Sequence, residues 1–297
     1  MSFTEIRSAL DREFAKNNIL IAVHRGCSGG TIVENTVNGL KTAWKMGADM
    51  AEMDVFSSTD GVLYVTHDNM ERHLFFTERN VKEMSSAEID ELEFRNNVTQ
   101  PCGHVERMDY VLKQLRGGKL VNIDRAWRWW ELFLAELPKY DMAEQLLLKT
   151  PPKEEYLSAL EKCPVPFMYM PIVRSMEQFE MLRAWRKRIN IVGYELIFDE
   201  LTHPLVAPGT MREITDTGAF AWVNTISMGK KYRISGGLED TPAVLEDPDK
   251  NWGTHARLGF RVFQTDWPAL LREYLESAGF RPPRVYRDFG TNLHIAL

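Results

Sequence analysis

Residues 19–56, ILIAVHRGCSGGTIVENTVNGLKTAWKMGADMAEMDVF, contain two short apolar runs separated by one helix-like stretch. The runs Ile19–His24 and Met50–Phe56 have the length of buried strands, and Val37–Met46 between them has apolar residues at helical spacing. A strand, a helix and a second strand in this order predict a parallel βαβ unit. This unit places the chain in the α/β class.

The same alternation continues along the chain. Six further strand candidates follow, at Leu120–Asp124, Leu146–Lys149, Phe167–Val173, Ile191–Ile197, Phe220–Thr225 and Phe260–Gln264. Helix-like stretches separate several of them, at Trp127–Leu137, Lys153–Lys162 and Met176–Ile189. Eight strands predict a (β/α)8 TIM barrel in a single domain over residues 1–297. The competing architecture is a doubly wound open sheet, whose nucleotide-binding form is weakened because no G-x-G-x-x-G pattern follows the first strand.

Two long segments interrupt this alternation. Residues 69–119 form an insertion after the second strand, with helix signals at Ser85–Glu88 and Met108–Leu115. Residues 226–256 are rich in Gly, Asp, Lys and Pro and predict a long irregular loop. Both follow the carboxyl ends of predicted strands, where barrel enzymes build their active sites. We expect residues 226–256 to influence substrate choice.

Composition excludes several classes of protein. The chain has a net charge of −6 and no long run of like-charged residues, so it is a poor candidate for nucleic-acid binding. The three cysteines, Cys27, Cys102 and Cys163, are too widely spaced to indicate a disulfide framework or a thiolate zinc site. No apolar stretch approaches the length of a membrane span, and the N-terminal residues lack the apolar core of a signal peptide. We therefore expect a cytoplasmic protein without stable membrane insertion and with a small-molecule partner.

Acidic residues lie in the second and third predicted strands. Glu52 and Asp54 are two positions apart, so their side chains point to the same face. Two carboxylates on one face repel unless a cation lies between them, and their oxygens suit Mg²⁺ or Ca²⁺. Asp124, at the end of the next strand, is the natural third ligand. The alternative is that one of these acids faces solvent or pairs with Arg or Lys.

Two histidines follow neighbouring strand elements. His24 ends the first run, and His67 ends the extension Val62–Thr66. A single histidine in such a place is more often structural, but two beside a carboxylate cluster favour acid–base chemistry on a phosphodiester. Arg25 can supply the fixed cationic fork that a phosphoryl group needs.

Several short motifs in the chain resemble those of the glycerophosphodiester phosphodiesterases. The first block carries the closest resemblance: His24-Arg25-Gly26, Glu34-Asn35-Thr36, Gly47-Ala48, Glu52-Met53-Asp54-Val55, Thr59-Asp60-Gly61 and His67-Asp68. Two later motifs are weaker, Trp222-Val223-Asn224 and Thr265-Asp266-Trp267-Pro268. The resemblance implies a TIM-barrel enzyme that hydrolyses a glycerophosphodiester-like small phosphodiester to an alcohol and a phosphomonoester.

The resemblance also implies roles for individual residues. Glu52, Asp54 and an acid on the third strand would hold a divalent cation. His24 would deprotonate an attacking glycerol hydroxyl and His67 would protonate the leaving alcohol, with a cyclic phosphate between the two steps. Arg25 would lie near the phosphate or the metal. The expected substrate-binding residues are Glu34, Lys149, Glu195, Trp222 and Asn224.

The chain also departs from this family. Val33 stands where the family usually has Pro. The third strand usually reads Asn-x-Glu-x-Lys, whereas here Asp124 replaces the glutamate and Ala126 the lysine. Lys149 on the next strand can restore the lost positive charge. Asp at this position resembles the related sphingomyelinase D branch, so a phospholipase D-like lyase that leaves a cyclic phosphate stays an alternative, as does a non-catalytic phosphodiester-binding barrel.

Overall fold

A computed structural model describes residues 1–95, 100–229 and 232–283 of the chain. Eight parallel strands lie at its centre: β1 Leu20–Val23, β2 Met50–Ser57, β3 Leu120–Asp124, β4 Leu146–Thr150, β5 Met168–Val173, β6 Gly193–Leu196, β7 Phe220–Asn224 and β8 Val262–Thr265. They pair in the order β1-β8-β7-β6-β5-β4-β3-β2, and β1 also pairs with β2, so the sheet is closed. The predicted (β/α)8 barrel is confirmed, and each predicted strand matches to within two residues at either end.

Helices connect the strands and cover the barrel. The described α-helices are Phe3–Ile6, Ser8–Asn17, Val37–Lys45, Glu71–Leu74, Ser86–Asp90, Met108–Leu115, Trp130–Glu136, Glu154–Lys162, Met176–Leu182, Pro208–Asp216, Asp240–Leu245, Thr254–Leu258 and Pro268–Ser277. The helix predicted over Met176–Ile189 is shorter, because after Leu182 it tightens into a 3₁₀ turn. None of the described helices is long and apolar enough to cross a membrane.

The inward-facing side chains are apolar near the amino ends of the strands and polar near their carboxyl ends. In β2, Met50 shares a face with Glu52 and Asp54, and Met50 belongs to a buried apolar cluster with Leu20, Leu147 and other strand residues. Ile6 and Leu10 of the N-terminal helices join this cluster and close that end. The polar residues on the same faces therefore lie toward the carboxyl ends of the strands, where barrel enzymes place their chemistry.

The insertion after β2 has its own small core. The strand Leu63–Val65 pairs antiparallel with β2, and Glu106–Arg107 pairs antiparallel with it in turn. A separate buried cluster fills this region: Val33, Phe56, Tyr64, Leu74, Phe75, Val81, Met84, Ile89, Phe94 and Val105. Residues 96–99 of the insertion lie outside the described part of the chain.

The prediction of an irregular loop over residues 226–256 is wrong for its second half. Two α-helices and the π-helix Asp249–Gly253 occupy residues 240–258. The polar composition concealed them because several polar side chains are buried. Asp240 accepts hydrogen bonds from Thr225 Oγ1 (2.6 Å) and Trp252 Nε1 (2.8 Å). Residues 230–231, within the same segment, lie outside the described residues.

Candidate active site

Strand register brings the predicted site residues to one mouth of the barrel. In β2 and β3, Asp54 is the register partner of Asp124. Val23 at the end of β1 pairs with Ala51, which places His24 next to Glu52. The strand Leu63–Val65 runs back along β2, so the chain that follows it carries His67 toward Asp54.

The three acids form one cluster. Oxygens of Glu52, Asp54 and Asp124 all lie within 4.8 Å of one another. Glu52 and Asp54 are buried, and burial together with the charge of Asp54 raises the pKa of Glu52 to about 8. Glu52 Oε1 is buried without a hydrogen-bond partner among the described residues. Carboxylates this close repel one another unless they share a proton, pair with cationic side chains or bind a metal ion, and Arg25 and Lys149 each pair with one of them.

Asn35 fixes the position of Asp54. Its side-chain Nδ2 donates to Asp54 Oδ2 (3.0 Å), and its Oδ1 accepts from the backbone N–H of Asp54 (2.9 Å). Asn35 adopts a left-handed backbone conformation, with φ of 56°, which asparagine tolerates better than most residues. The middle residue of the Glu-Asn-Thr motif therefore orients one of the acids.

Arg25 connects the acids to the first loop. Its backbone N–H donates to Glu52 Oε2 (2.8 Å), its Nη1 donates to Glu34 Oε1 (3.0 Å), and its Nε lies 3.2 Å from Asp54 Oδ2. The next residue, Gly26, has φ of 74°, and a Cβ there would lie 2.7 Å from the backbone of Gly39. The loop can therefore present Arg25 in this way only with glycine after it.

Lys149 and three other expected substrate-binding residues form a buried network beside Asp124. Lys149 Nζ lies 2.7 Å from Asp124 Oδ2 and 3.3 Å from Glu195 Oε2. Asn224 donates to Glu195 Oε1 (2.6 Å) and accepts from Trp222 Nε1 (2.8 Å). All four are buried, so in this conformation they support the site from below. Lys149 therefore supplies a cation directly beside Asp124.

His24 is held by an acid that sequence reasoning did not assign to the site. His24 Nδ1 lies 3.1 Å from Asp266 Oδ1, at the end of the neighbouring β8. Burial lowers the pKa of His24, but the hydrogen bond with Asp266 and the charge of Glu52 outweigh it, so the pKa is raised. Asp266 is positioned in turn by its backbone N–H, which donates to buried Asp240 (2.9 Å).

His67 has the opposite electrostatic environment. Its Nδ1 contacts the backbone carbonyl of Asp68. Burial lowers the pKa of His67, and Arg25 and Arg125 lower it further against the charge of Asp54. Strand pairing places His24 next to Glu52 and carries His67 toward Asp54, so both imidazoles lie close to the acid cluster. The proposed acid–base pair is therefore brought together.

A cavity of about 680 Å³ opens beside His24. Its polar lining includes Glu34 and Asp266, and its apolar lining includes Trp267 and Leu270. The three clustered acids are not part of that lining. The cavity therefore lies on the His24 side of the acid cluster.

Asn35 and Asp266 were both visible in the sequence. Each belongs to a motif quoted above, and Asp266 directly follows the last strand, like the other site residues. Their roles depend on hydrogen bonds to side chains far away along the chain, which motif spacing alone does not reveal.

Comparison with known families gives two matches. The model of the glycerophosphoryl diester phosphodiesterase family matches residues 24–178, more than half of the chain. A family described as a domain of unknown function matches residues 169–275. No curated protein matches the chain.

Solved structures share the fold at low sequence identity. A glycerophosphodiester phosphodiesterase from Agrobacterium tumefaciens is 22% identical, with a TM-score of 0.59, over 85% of this chain and 97% of its own. A glycerophosphoryl diester phosphodiesterase from Parabacteroides distasonis is 15% identical, with a TM-score of 0.72, over 94% and 93%. A phosphodiesterase from Oleispira antarctica, in complex with the product sn-glycerol-3-phosphate, is 14% identical, with a TM-score of 0.61, over 86% and 96%.

Proposed function

The chain belongs to the glycerophosphoryl diester phosphodiesterase family and is a phosphoric diester hydrolase, and we propose that it cleaves small glycerophosphodiesters by metal-dependent acid–base catalysis. The observation that carries this proposal is the cluster of Glu52, Asp54 and Asp124 with the imidazoles of His24 and His67 close to it. A protein that only binds phosphodiesters has no need of a pair of proton-transfer groups.

The acid cluster fits a hard divalent cation such as Mg²⁺ or Ca²⁺. Glu52, Asp54 and Asp124 would be its ligands, and the unpartnered buried oxygen of Glu52 is an available ligand atom. A bound cation would stabilise the charge that develops on the phosphoryl oxygens. Lys149, at 2.7 Å from Asp124, limits the net negative charge of the cluster.

The two histidines carry the proton transfers. In the first step a glycerol hydroxyl attacks phosphorus, its proton passes to one imidazole, and the departing alkoxide takes a proton from the other. Water then opens the cyclic phosphate, and the imidazoles exchange roles. As the resemblance implies, we assign the first base to His24 and the acid that protonates the leaving alcohol to His67, so the second alcohol lies on the His67 side of the phosphorus.

The test is a matched pair of substrates, sn-glycero-3-phosphoethanolamine and its analogue without the 2-hydroxyl. We expect metal-dependent release of ethanolamine from the first and a rate at least about 10²-fold lower from the second, because the internal nucleophile is missing. Phosphorus NMR of the product distinguishes a phosphomonoester from the cyclic phosphate of a lyase. Equal rates with and without EDTA would contradict the metal proposal, and no turnover of either substrate with any divalent metal would contradict catalysis.

We expect Asp266→Asn to move one limb of the rate–pH profile to lower pH. Asp266 raises the pKa of His24, so without its charge His24 loses its proton at lower pH. If His24 is the acid of the rate-limiting step, the basic limb moves; if it is the base, the acidic limb moves. The rate at the optimum should fall about tenfold, because the imidazole is less well oriented. A profile with neither limb displaced would remove Asp266 from the mechanism.

A further inference from the structure

Asp68, directly after His67, is surrounded by three cationic side chains. Its carboxylate is almost fully buried. Lys82 Nζ lies 2.6 Å from Oδ2, Arg128 Nη1 lies 2.7 Å from Oδ2, and Arg125 Nη2 contacts Oδ1. Lys82 comes from the insertion after β2, whereas the two arginines follow β3. Two separate parts of the fold therefore bring positive charge to one point.

This cluster has more positive charge than the neutralisation of Asp68 requires. One buried carboxylate needs one cation, and here it has three. Within residues 1–95, 100–229 and 232–283, no other carboxylate lies within ion-pair distance of these three cations. Lys82, Arg125 and Arg128 remain 29%, 20% and 39% exposed, while Asp68 is 2% exposed. The uncompensated charge therefore faces solvent.

The cluster lies on the His67 side of the active site. His67 Nδ1 contacts the carbonyl of Asp68, and Arg125 lies close enough to His67 to act on its pKa. Arg125 also follows Asp124 directly, and its backbone N–H donates to Asp124 Oδ1 (2.6 Å). An anion bound to these cations would therefore be held next to the reacting phosphodiester.

The local backbone holds the cations in place. Arg125 adopts a left-handed conformation, with φ of 63°, at the end of β3, and Arg128 lies in the 3₁₀ turn Ala126–Trp129. Lys82 lies in another 3₁₀ turn, Val81–Glu83, where its own backbone N–H donates to the side chain of Asn80 (3.0 Å). Cations held in this way lose less conformational entropy on binding an anion than free surface lysines do.

We propose that Lys82, Arg125 and Arg128 form an anion subsite, which selects glycerophosphodiesters whose second alcohol carries a further anionic group such as a phosphomonoester. The proposal rests on the proposed function, because it assigns a substrate class to the same site. Two or three charge-assisted hydrogen bonds to one phosphate would supply the selectivity. Exposed ion pairs are screened by salt, so the selectivity should decrease as ionic strength rises.

The experiment compares glycerophosphoinositol with glycerophosphoinositol 4-phosphate, which differ by one phosphate. We expect kcat/KM to be at least about tenfold higher for the phosphorylated substrate, given the strength of hydrogen bonds between charged groups. Lys82→Gln and Arg128→Gln should each lower this ratio several-fold. Lys113→Gln removes the same charge at an exposed helix position paired with Asp109, and should leave the ratio unchanged.

Two results would overturn the subsite. One is a wild-type ratio near one. The other is an equal decrease in kcat/KM for both substrates in Lys82→Gln and Arg128→Gln, since the cations would then only stabilise Asp68. Turnover of unphosphorylated glycerophosphoinositol tests the proposed function separately. If neither substrate is turned over, calorimetry tests the subsite instead. The phosphorylated compound should then bind at least about tenfold more tightly than the unphosphorylated one, and the same variants should reduce this ratio of affinities.

Discussion

Replacing His24 or His67 with alanine is expected to lower kcat on a glycerophosphodiester by about 10²-fold or more. Each imidazole lies beside the acid cluster, and each would transfer a proton in both chemical steps. Loss of either therefore slows the formation and the opening of the cyclic phosphate. The measurement is the initial rate of alcohol release at saturating substrate and metal.

A change of leaving group shows which histidine is the acid and which is the base in the first step. With p-nitrophenol as the leaving alcohol, the first step no longer needs an acid, because the phenolate departs without a proton. The variant that lacks the acid should then form the cyclic phosphate at nearly the normal rate, whereas the variant that lacks the base should stay slow. His73→Ala is the matched control, because this histidine is exposed in the short helix Glu71–Leu74. Normal turnover by either active-site variant with the natural type of substrate would exclude that histidine.

Glu52→Gln is expected to abolish tight metal binding with little loss of metal-free stability at pH 7. Burial and the charge of Asp54 raise the pKa of Glu52 to about 8, so without metal this side chain holds its proton at neutral pH. Glutamine resembles that protonated form and still accepts from the N–H of Arg25. A metal ligand must be ionised, so glutamine should weaken calorimetric binding of Mg²⁺ or Ca²⁺ by more than about 10²-fold and eliminate most turnover.

The raised pKa of Glu52 also gives the protein a pH dependence that tests the prediction for Glu52→Gln. The folded metal-free protein holds the Glu52 proton up to a pKa of about 8, whereas the unfolded chain releases it near the ordinary value of 4.5. Stability of the wild-type protein should therefore fall as pH rises through this window, and Glu52→Gln should remove part of that fall. Metal affinity of the wild-type protein should rise over the same window. Asp124→Asn should also weaken metal binding, and Asp109→Asn is a matched control at a half-exposed helix position paired with Lys113. Unchanged metal titration in Glu52→Gln would place the ligands elsewhere.

The barrel and the acid cluster follow from local sequence patterns. Apolar runs of strand length mark the eight strands, and spacing of two places Glu52 and Asp54 on one face whatever the rest of the chain does. Parallel strands then bring their carboxyl ends together, which is why Asp124 could be assigned to the same cluster. The fold could therefore be predicted because the same short-range pattern, an apolar run of strand length, recurs eight times along the chain.

The parts that could not be predicted depend on long-range pairing of polar groups. Asp266 is a site residue only because β8 pairs with β1 and sets it beside His24. The helices after Asp240 were hidden because this buried acid satisfies donors from three separate segments, Thr225, Trp252 and Thr265. Local sequence patterns also did not reveal that Lys149, which stays a predicted substrate-binding residue, is paired with two acids. From composition alone such residues are expected to be solvent-exposed, because a charged side chain is buried only where it has partners that the local sequence does not reveal.

Closure of the barrel has a consequence for how the enzyme is made. The first strand, Leu20–Val23, hydrogen-bonds on one side to Met50–Ser57 and on the other to Val262–Thr265, so its second neighbour is the last of the barrel strands to be synthesised. A nascent chain that has not yet reached residue 262 has two unpaired barrel edges and lacks the carboxylate that holds His24. Synthesis must therefore pass residue 266 before His24 can pair with Asp266, and until then the open edges are surfaces for a chaperone to protect.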